Sequence, residues 1–256
     1  MNIAIVGFGY WGPNLVRNFN SVEGVEVSHI CDNRPERQVH AKKLYPNADV
    51  TTGFEDILKD ASVDAVAIAT PVFTHHKLAK AALNADKHVL IEKPMTSTVA
   101  EAEELIALAK QKGKVVMVDH TYLYTGAVQK IKSLVDEGKI GNIQYIDSTR
   151  INLGLFQADI NVLWDLAPHD ISICSHIMQG KPTAVQATGI AHTKNGLENI
   201  AYLTLRYGDD KIAHFNCSWS SPVKVRHMLI GGDKKMIVFN DLEATEKIKI
   251  YDTGYS

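Results

Sequence analysis

The chain is poor in cysteine: Cys31, Cys174 and Cys217 are the only three among 256 residues. They lie far apart, without C-x-x-C spacing and among apolar neighbours. That excludes a disulfide framework and points to a reducing, cytoplasmic setting. No run approaches the roughly 18 consecutive apolar residues of a membrane span. Met1 to Val6 leads straight into glycines, without the basic leader and small-residue cleavage site of a secretory signal. Neither charge sign is in excess: 27 Lys and Arg against 29 Asp and Glu give a formal net charge of −2, and no basic segment is clustered. General attraction to nucleic acid or anionic lipid is thereby removed. Low-complexity stretches are missing too. With 45% hydrophobic and 22% charged residues, the composition is globular, and the length suits one large domain or two ordinary ones at roughly 150 residues each.

What is present begins with glycine. Asn2 to Val6 is a short apolar strand, followed by Gly7, Gly9 and Gly12 in the spacing G-x-G-x-x-G and by a helical segment, Pro13 to Phe19. In such a strand–turn–helix the first glycine permits a tight turn, the second lets a pyrophosphate approach the backbone, and the third lets helix and strand pack closely. A second apolar segment, Val25 to Ile30, ends at Asp32, which lies 20 residues after Gly12. Dinucleotide-binding folds place there the acid that holds the adenosine ribose hydroxyls. Asp32 favours NAD, because a carboxylate repels the 2′-phosphate of NADP, while Arg34 and Arg37 keep NADP open. The candidate cofactor contacts here are Gly7, Phe8, Gly9, Tyr10, Trp11 and Gly12 in the loop, then Asp32, Asn33 and Arg34.

Strand and helix signals then alternate: Ala65 to Ala69, His75 to Leu83, His88 to Ile91, Thr98 to Lys112 and Val115 to Val118. Alternation implies a doubly wound parallel sheet, whose ligands bind beyond the carboxyl ends of its strands. After about residue 120 the pattern changes to successive β segments: Ile143 to Ile151, Ala184 to Ile190, Ala201 to Arg206, Lys211 to Ser218, Val223 to Ile230, Lys235 to Phe239 and Lys247 to Tyr251. Gly208-Asp209-Asp210 and Gly231-Gly232-Asp233 separate neighbours as hairpin turns do. Ala167 to Met178 reads as a helix, with Asp165 and His169 four residues apart on one face.

Glu92-Lys93-Pro94 after a strand, together with the glycine loop, resembles the glucose–fructose oxidoreductase/inositol dehydrogenase/MocA family. Asp165-Leu166-Ala167-Pro168-His169 matches that family's D-x-x-x-H pattern, and Lys139-Ile140-Gly141 looks like the start of its second domain. The resemblance spans essentially the whole chain. It implies an α/β Rossmann domain over residues 1–120. Residues 121–256 would then form an α+β domain on a large open, mostly antiparallel sheet, shortened relative to related chains. It further implies that Thr70, Pro71 and His75 line the nicotinamide with Glu92, Lys93 and Pro94, that substrate lies between cofactor and sheet, and that the sheet pairs copies into dimers or tetramers.

Hydride exchange between a secondary alcohol and a nicotinamide needs a fixed cofactor, a group that exchanges the alcohol proton, and positive charge near the developing alkoxide. Histidine titrates near neutrality, so His169 is the candidate base in the oxidation direction. An ammonium polarises oxygen, which is the role read for Lys93, and Asp165 holds substrate or tunes the pair, although it also stands where an acid caps a helix. The resemblance points to the same three. His120, Tyr122 and Asn152 are candidate substrate contacts, with Phe156, Asp159 and Asn161 in the polar stretch before Asp165. No spaced Cys, His and carboxylate set marks a metal site. The expectation is an NAD(P)-dependent oxidoreductase acting on a sugar, with a nucleotide-linked sugar of polysaccharide biosynthesis placed first and inositol or a free sugar as the alternative. A non-catalytic dinucleotide sensor or assembly subunit is the competing class, and the intact Lys93, Asp165 and His169 argue against it.

Overall fold

A computed structural model describes residues 1–154, 156–178 and 180–253, and the chain divides after Asp119 into two compact units. In the first, β1 (Asn2–Val6), α1 (Gly12–Phe19), β2 (Glu26–Cys31), α2 (Pro35–Leu44), β3 (Asp49–Thr51) and α3 (Phe54–Lys59) come first in the chain. β4 (Ala65–Ile68), α4 (Val72–Asn84), β5 (His88–Glu92), α5 (Val99–Lys112) and β6 (Val116–Asp119) follow. The strands form one sheet in the order β3-β2-β1-β4-β5-β6, every pairing parallel. Side chains alternate across a strand, and here both faces are covered. Ile3 and Ile5 pack with Leu15, Val16 and Ala41 of α1 and α2. Ala4 and Val6 pack on the other side with Ile57, Leu83 and Leu105 of α3, α4 and α5. The order reverses between β1 and β4, the switch point where such sheets take their ligands.

Capping chemistry sets the boundaries of α5. Thr98, read as the first residue of that helix, is its N-cap and accepts from Glu101 N, while Glu101 accepts in return at Thr98 N. Gly113 at φ +62° closes the other end.

The second unit opens with a 3-10 turn (Thr121–Tyr124), α6 (Gly126–Asp136), β7 (Ile143–Leu153) and α7 (Val162–Ile177). β8 (Ala184–Ile190), β9 (Ile200–Tyr207), β10 (Lys211–Ser218), β11 (Ser220–Gly232), β12 (Lys235–Asn240) and β13 (Ile248–Asp252) follow. Its sheet runs β13-β12-β11-β7-β10-β9-β8, antiparallel except where β7 meets β10. Ile131 and Leu134 of α6 and Ile173 and Ile177 of α7 cover one face through Ile146, Leu205, Phe215 and Ile230. Side chains such as Tyr202 and Ile212 on the other face are exposed.

α7 begins five residues before the sequence pattern places it. Proline favours the first turn of a helix, so Pro168 reads as a start, yet Asn161 is the cap, accepting from Trp164 N at 3.1 Å. Pro168 leaves the Trp164 carbonyl without its i+4 donor. Asp165 therefore sits inside the helix and is not its cap.

Candidate active site

The carboxyl edge of the first sheet gathers most of the residues singled out above. Gly7 follows β1 at φ +97°, and a Cβ there would lie 2.5 Å from Ala69 O, just past β4. A Cβ on Gly12 would stand 2.1 Å from Gly7 O. Both glycines are thus required by packing of the protein on itself. Gly9 differs: among the described residues, the only atom near its missing Cβ is the tip of Arg34, at 3.4 Å. Among the described residues, nothing else fills the space over Gly9, and no side chain caps the N-terminus of α1. This loop fits a dinucleotide pyrophosphate, held by backbone N–H groups and the helix dipole. Phe8 turns inward and is fully buried, edge-on to Tyr45, whereas Tyr10 and Trp11 are exposed with their rings edge to face.

Asp32 ties the end of β2 to that loop. Its carboxylate accepts from Phe8 N at 2.7 Å and Arg34 N at 3.0 Å, and from the Arg34 fork at 2.9 and 2.8 Å. Burial opposes its charge, but the Arg34 side-chain bonds and the two backbone donors outweigh burial and hold the carboxyl below its ordinary range. Asn33 and Arg34 are exposed beside it.

Past β4, Thr70 and Pro71 lead into α4, whose His75 is buried with Nδ1 3.0 Å from Pro94 O and Nε2 2.8 Å from Thr70 O. The imidazole thus bridges the segments following β4 and β5. Glu92, Lys93 and Pro94 follow in chain order at the end of β5. Glu92 and Pro94 are buried, Lys93 is half-buried, and the Lys93–Pro94 peptide is cis. Burial, then the charge of Asp119 and a hydrogen bond with it, push the Glu92 carboxyl up to about 8 against the opposing pull of Lys93.

In the second unit, Asp165 and His169 are half-buried one turn apart on α7. Asp165 accepts from Trp219 Nε1 at 3.0 Å. Phe156 packs on the same indole, 5.7 Å between centroids, and Asn152 lies nearby, its Nδ2 2.9 Å from the position a Cβ on Gly154 would take beside Trp219. His169 meets the Tyr122 ring edge-on at 4.9 Å. The Tyr122 hydroxyl accepts from Arg150 at 3.2 Å and Arg226 at 2.8 Å. Arg150 in turn forks onto Asp170, the residue after His169, with both side chains almost fully buried. His120, half-buried, immediately precedes the 3-10 turn, and Asp159 is exposed. Asn161, as the cap, also donates to Glu198. Arg150, Asp170, Trp219 and Arg226 carry no local signal in the sequence: each is ordinary until long-range pairing gives it a partner, whereas Asp119 is marked by its place at the carboxyl end of a strand.

Comparison with known proteins follows the same division. The family model for an oxidoreductase family with an NAD-binding Rossmann fold matches residues 1–120, and the GFO/IDH/MocA C-terminal domain matches residues 128–238. The chain is 28% identical over 258 residues to the scyllo-inositol 2-dehydrogenase (NADP(+)) IolW of Bacillus subtilis, covering 93% of this chain and 69% of that protein. It is 28% identical over 217 residues to the UDP-N-acetylglucosamine 3-dehydrogenase of Acidithiobacillus ferrooxidans, covering 81% of this chain and 64% of that protein. A crystal structure from Magnetospirillum magnetotacticum MS-1, assigned provisionally as an oxidoreductase, superimposes with a TM-score of 0.88 at 30% identity over 98% of this chain and 80% of that one.

Proposed function

The chain belongs to the GFO/IDH/MocA family of NAD(P)-dependent oxidoreductases, and from that membership we propose that it moves a hydride to or from a secondary alcohol or ketone carbon of a nucleotide-linked sugar. The observation that carries the redox reading is one edge of one sheet: the open Gly9 cradle, the clamped Asp32, Thr70 and the Glu92-Lys93 pair all follow the carboxyl ends of neighbouring parallel strands. When bound, the dinucleotide supplies the hydride acceptor or donor. Gly7 to Gly12 hold its pyrophosphate and Asp32 with Arg34 its adenosine ribose, while Thr70, Pro71, His75, Glu92 and Pro94 shape the nicotinamide end.

Lys93 presents an ammonium that polarises the reacting oxygen, and His169 exchanges the alcohol proton. Asp165, held by Trp219 Nε1, binds a substrate hydroxyl, assisted by Asn152, His120 and Tyr122. The Phe156–Trp219 pair beside Asp165 offers an apolar face flanked by polar groups, the combination a sugar requires. The namesake reactions of the two relatives, on scyllo-inositol and on UDP-N-acetylglucosamine, define the two substrate classes to separate. Self-association through the exposed face of the second sheet, and a cytoplasmic setting in keeping with three buried free thiols, complete the proposal.

Titration with NADH and with NADPH, followed by a screen of nucleotide sugars, free sugars and inositols, tests it. Saturable binding and turnover on a nucleotide sugar are expected; absence of binding by either dinucleotide would refute the redox reading. Lys93→Met and His169→Ala should each lower kcat at least about a hundredfold while leaving dinucleotide affinity within about twofold. Full turnover in both variants removes the assigned roles.

A further inference from the structure

Glu92 ends β5, Asp119 ends β6, and the two are register partners in the parallel ladder. In-register residues on adjacent parallel strands project to the same side, with the strands about 4.8 Å apart. The two carboxyl groups accordingly face each other, and Asp119 is among the causes that raise the Glu92 carboxyl. Two carboxylates brought this close repel and offer each other only acceptors, which favours a proton held between them. Glu92 is 8% exposed and Asp119 half-buried, so burial disfavours the charged form of Glu92 the more. Lys93 follows directly.

We propose that Asp119 is a positioning residue of the redox site: acting through Glu92, it forms a carboxylic acid–carboxylate pair that keeps one shared proton beside Lys93 and thereby sets the charge facing the nicotinamide. The inference rests on the dinucleotide reading above and deepens it. An oxidised nicotinamide ring is a cation and a reduced ring is neutral, so a pair carrying one negative charge favours the oxidised cofactor modestly and a pair carrying two favours it more. Linkage makes the effect reciprocal: oxidised cofactor eases the proton off Glu92, and reduced cofactor retains it.

His120, directly after Asp119, is a further titratable group at this strand end. Asp119 and Lys93 are the charged neighbours that act on Glu92. From α4, the His75 ring is engaged with Thr70 O and Pro94 O. From α5, Glu101 closes its own helix terminus and Glu104 pairs with His76 and Lys80.

Calorimetric titration of the wild-type chain with NAD⁺ and with NADH between pH 6.5 and 9.5, repeated with Asp119→Asn and Glu92→Gln, tests the inference. In the wild type, affinity for NAD⁺ relative to NADH should rise about fivefold as pH passes through 8. Asn at 119 keeps a hydrogen-bonding partner but removes the charge that raises Glu92, so the rise should move to lower pH. Gln at 92 cannot release a proton and should abolish it. A relative affinity that is flat with pH in the wild type, or an Asp119→Asn profile that superimposes on it, overturns the pair while leaving the dinucleotide reading intact. Failure of wild type to bind either nucleotide overturns both.

Discussion

Arg150 and Asp170 form a buried fork, with Arg150 Nε 3.0 Å and the second guanidinium nitrogen 2.6 Å from the Asp170 carboxylate, and the two side chains only 5% and 4% exposed. Asp170 belongs to α7 and Arg150 to the central strand β7, so the fork pins the helix to the sheet. It also sets the rotation of His169, one residue earlier. The same guanidinium lies 4.6 Å from the centre of the Tyr122 ring that packs against His169.

Asp170→Asn should therefore cost about 3–5 kcal/mol of stability, because it leaves the Arg150 cation buried without a counter-charge. An apolar replacement of both partners, Arg150→Met with Asp170→Leu, should restore much of that loss. Urea unfolding of the three proteins checks this; a loss below about 0.5 kcal/mol for Asp170→Asn would show that the fork is not structural.

The glycine loop separates a packing requirement from a ligand requirement. Gly12→Ala drives a methyl into Gly7 O and should destabilise the fold by about 2 kcal/mol or more. Gly9→Ala meets only the flexible tip of Arg34, so its unfolding midpoint should stay close to wild type while dinucleotide affinity falls at least about tenfold. Unimpaired binding by Gly9→Ala would mean that no pyrophosphate passes over this residue.

Arg34 is bonded to Asp32 and nearly half-exposed at 46%, placed to release the carboxylate and meet a 2′-phosphate. Arg34→Ala should weaken NADPH about tenfold more than NADH, the worth of one charge-assisted contact. Fluorescence titration decides; equal losses for the two nucleotides would assign Arg34 to loop structure alone.

Glu92 also makes stability pH-dependent. Its carboxyl is raised from 4.5 to about 8 in the folded chain. Between those values the native state holds a proton that the unfolded state has released, so stability falls as pH rises through that window and levels off above it. Glu92→Gln should flatten this fall. Chemical unfolding at pH 5, 6.5 and 8 measures it, and a wild-type and variant difference that does not change with pH would remove the buried acid.

Local periodicity was enough to read much of the fold. The runs at β8 and β10 appear with the ends predicted. The three-residue β3, the short α3 and helix α6 went unread: too few residues repeat in the first two, and Gly126 at the start of α6 imitates a loop. Pro168 misplaced the start of α7, since the cap that governs it, Asn161, lies a full turn and more upstream.

The sequence by itself determined the glycine cradle, the acid at position 32, the Glu92-Lys93-Pro94 strand end and the spacing of Asp165 and His169. These depend on contiguous residues whose backbone geometry is local. Only the tertiary structure decided which charges meet. Asp119 against Glu92, Arg150 on Asp170 and Trp219 on Asp165 depend on strand register and helix rotation. The energy of a buried charge is set by the partner that folding brings within a few ångströms, and sequence separation does not encode that distance.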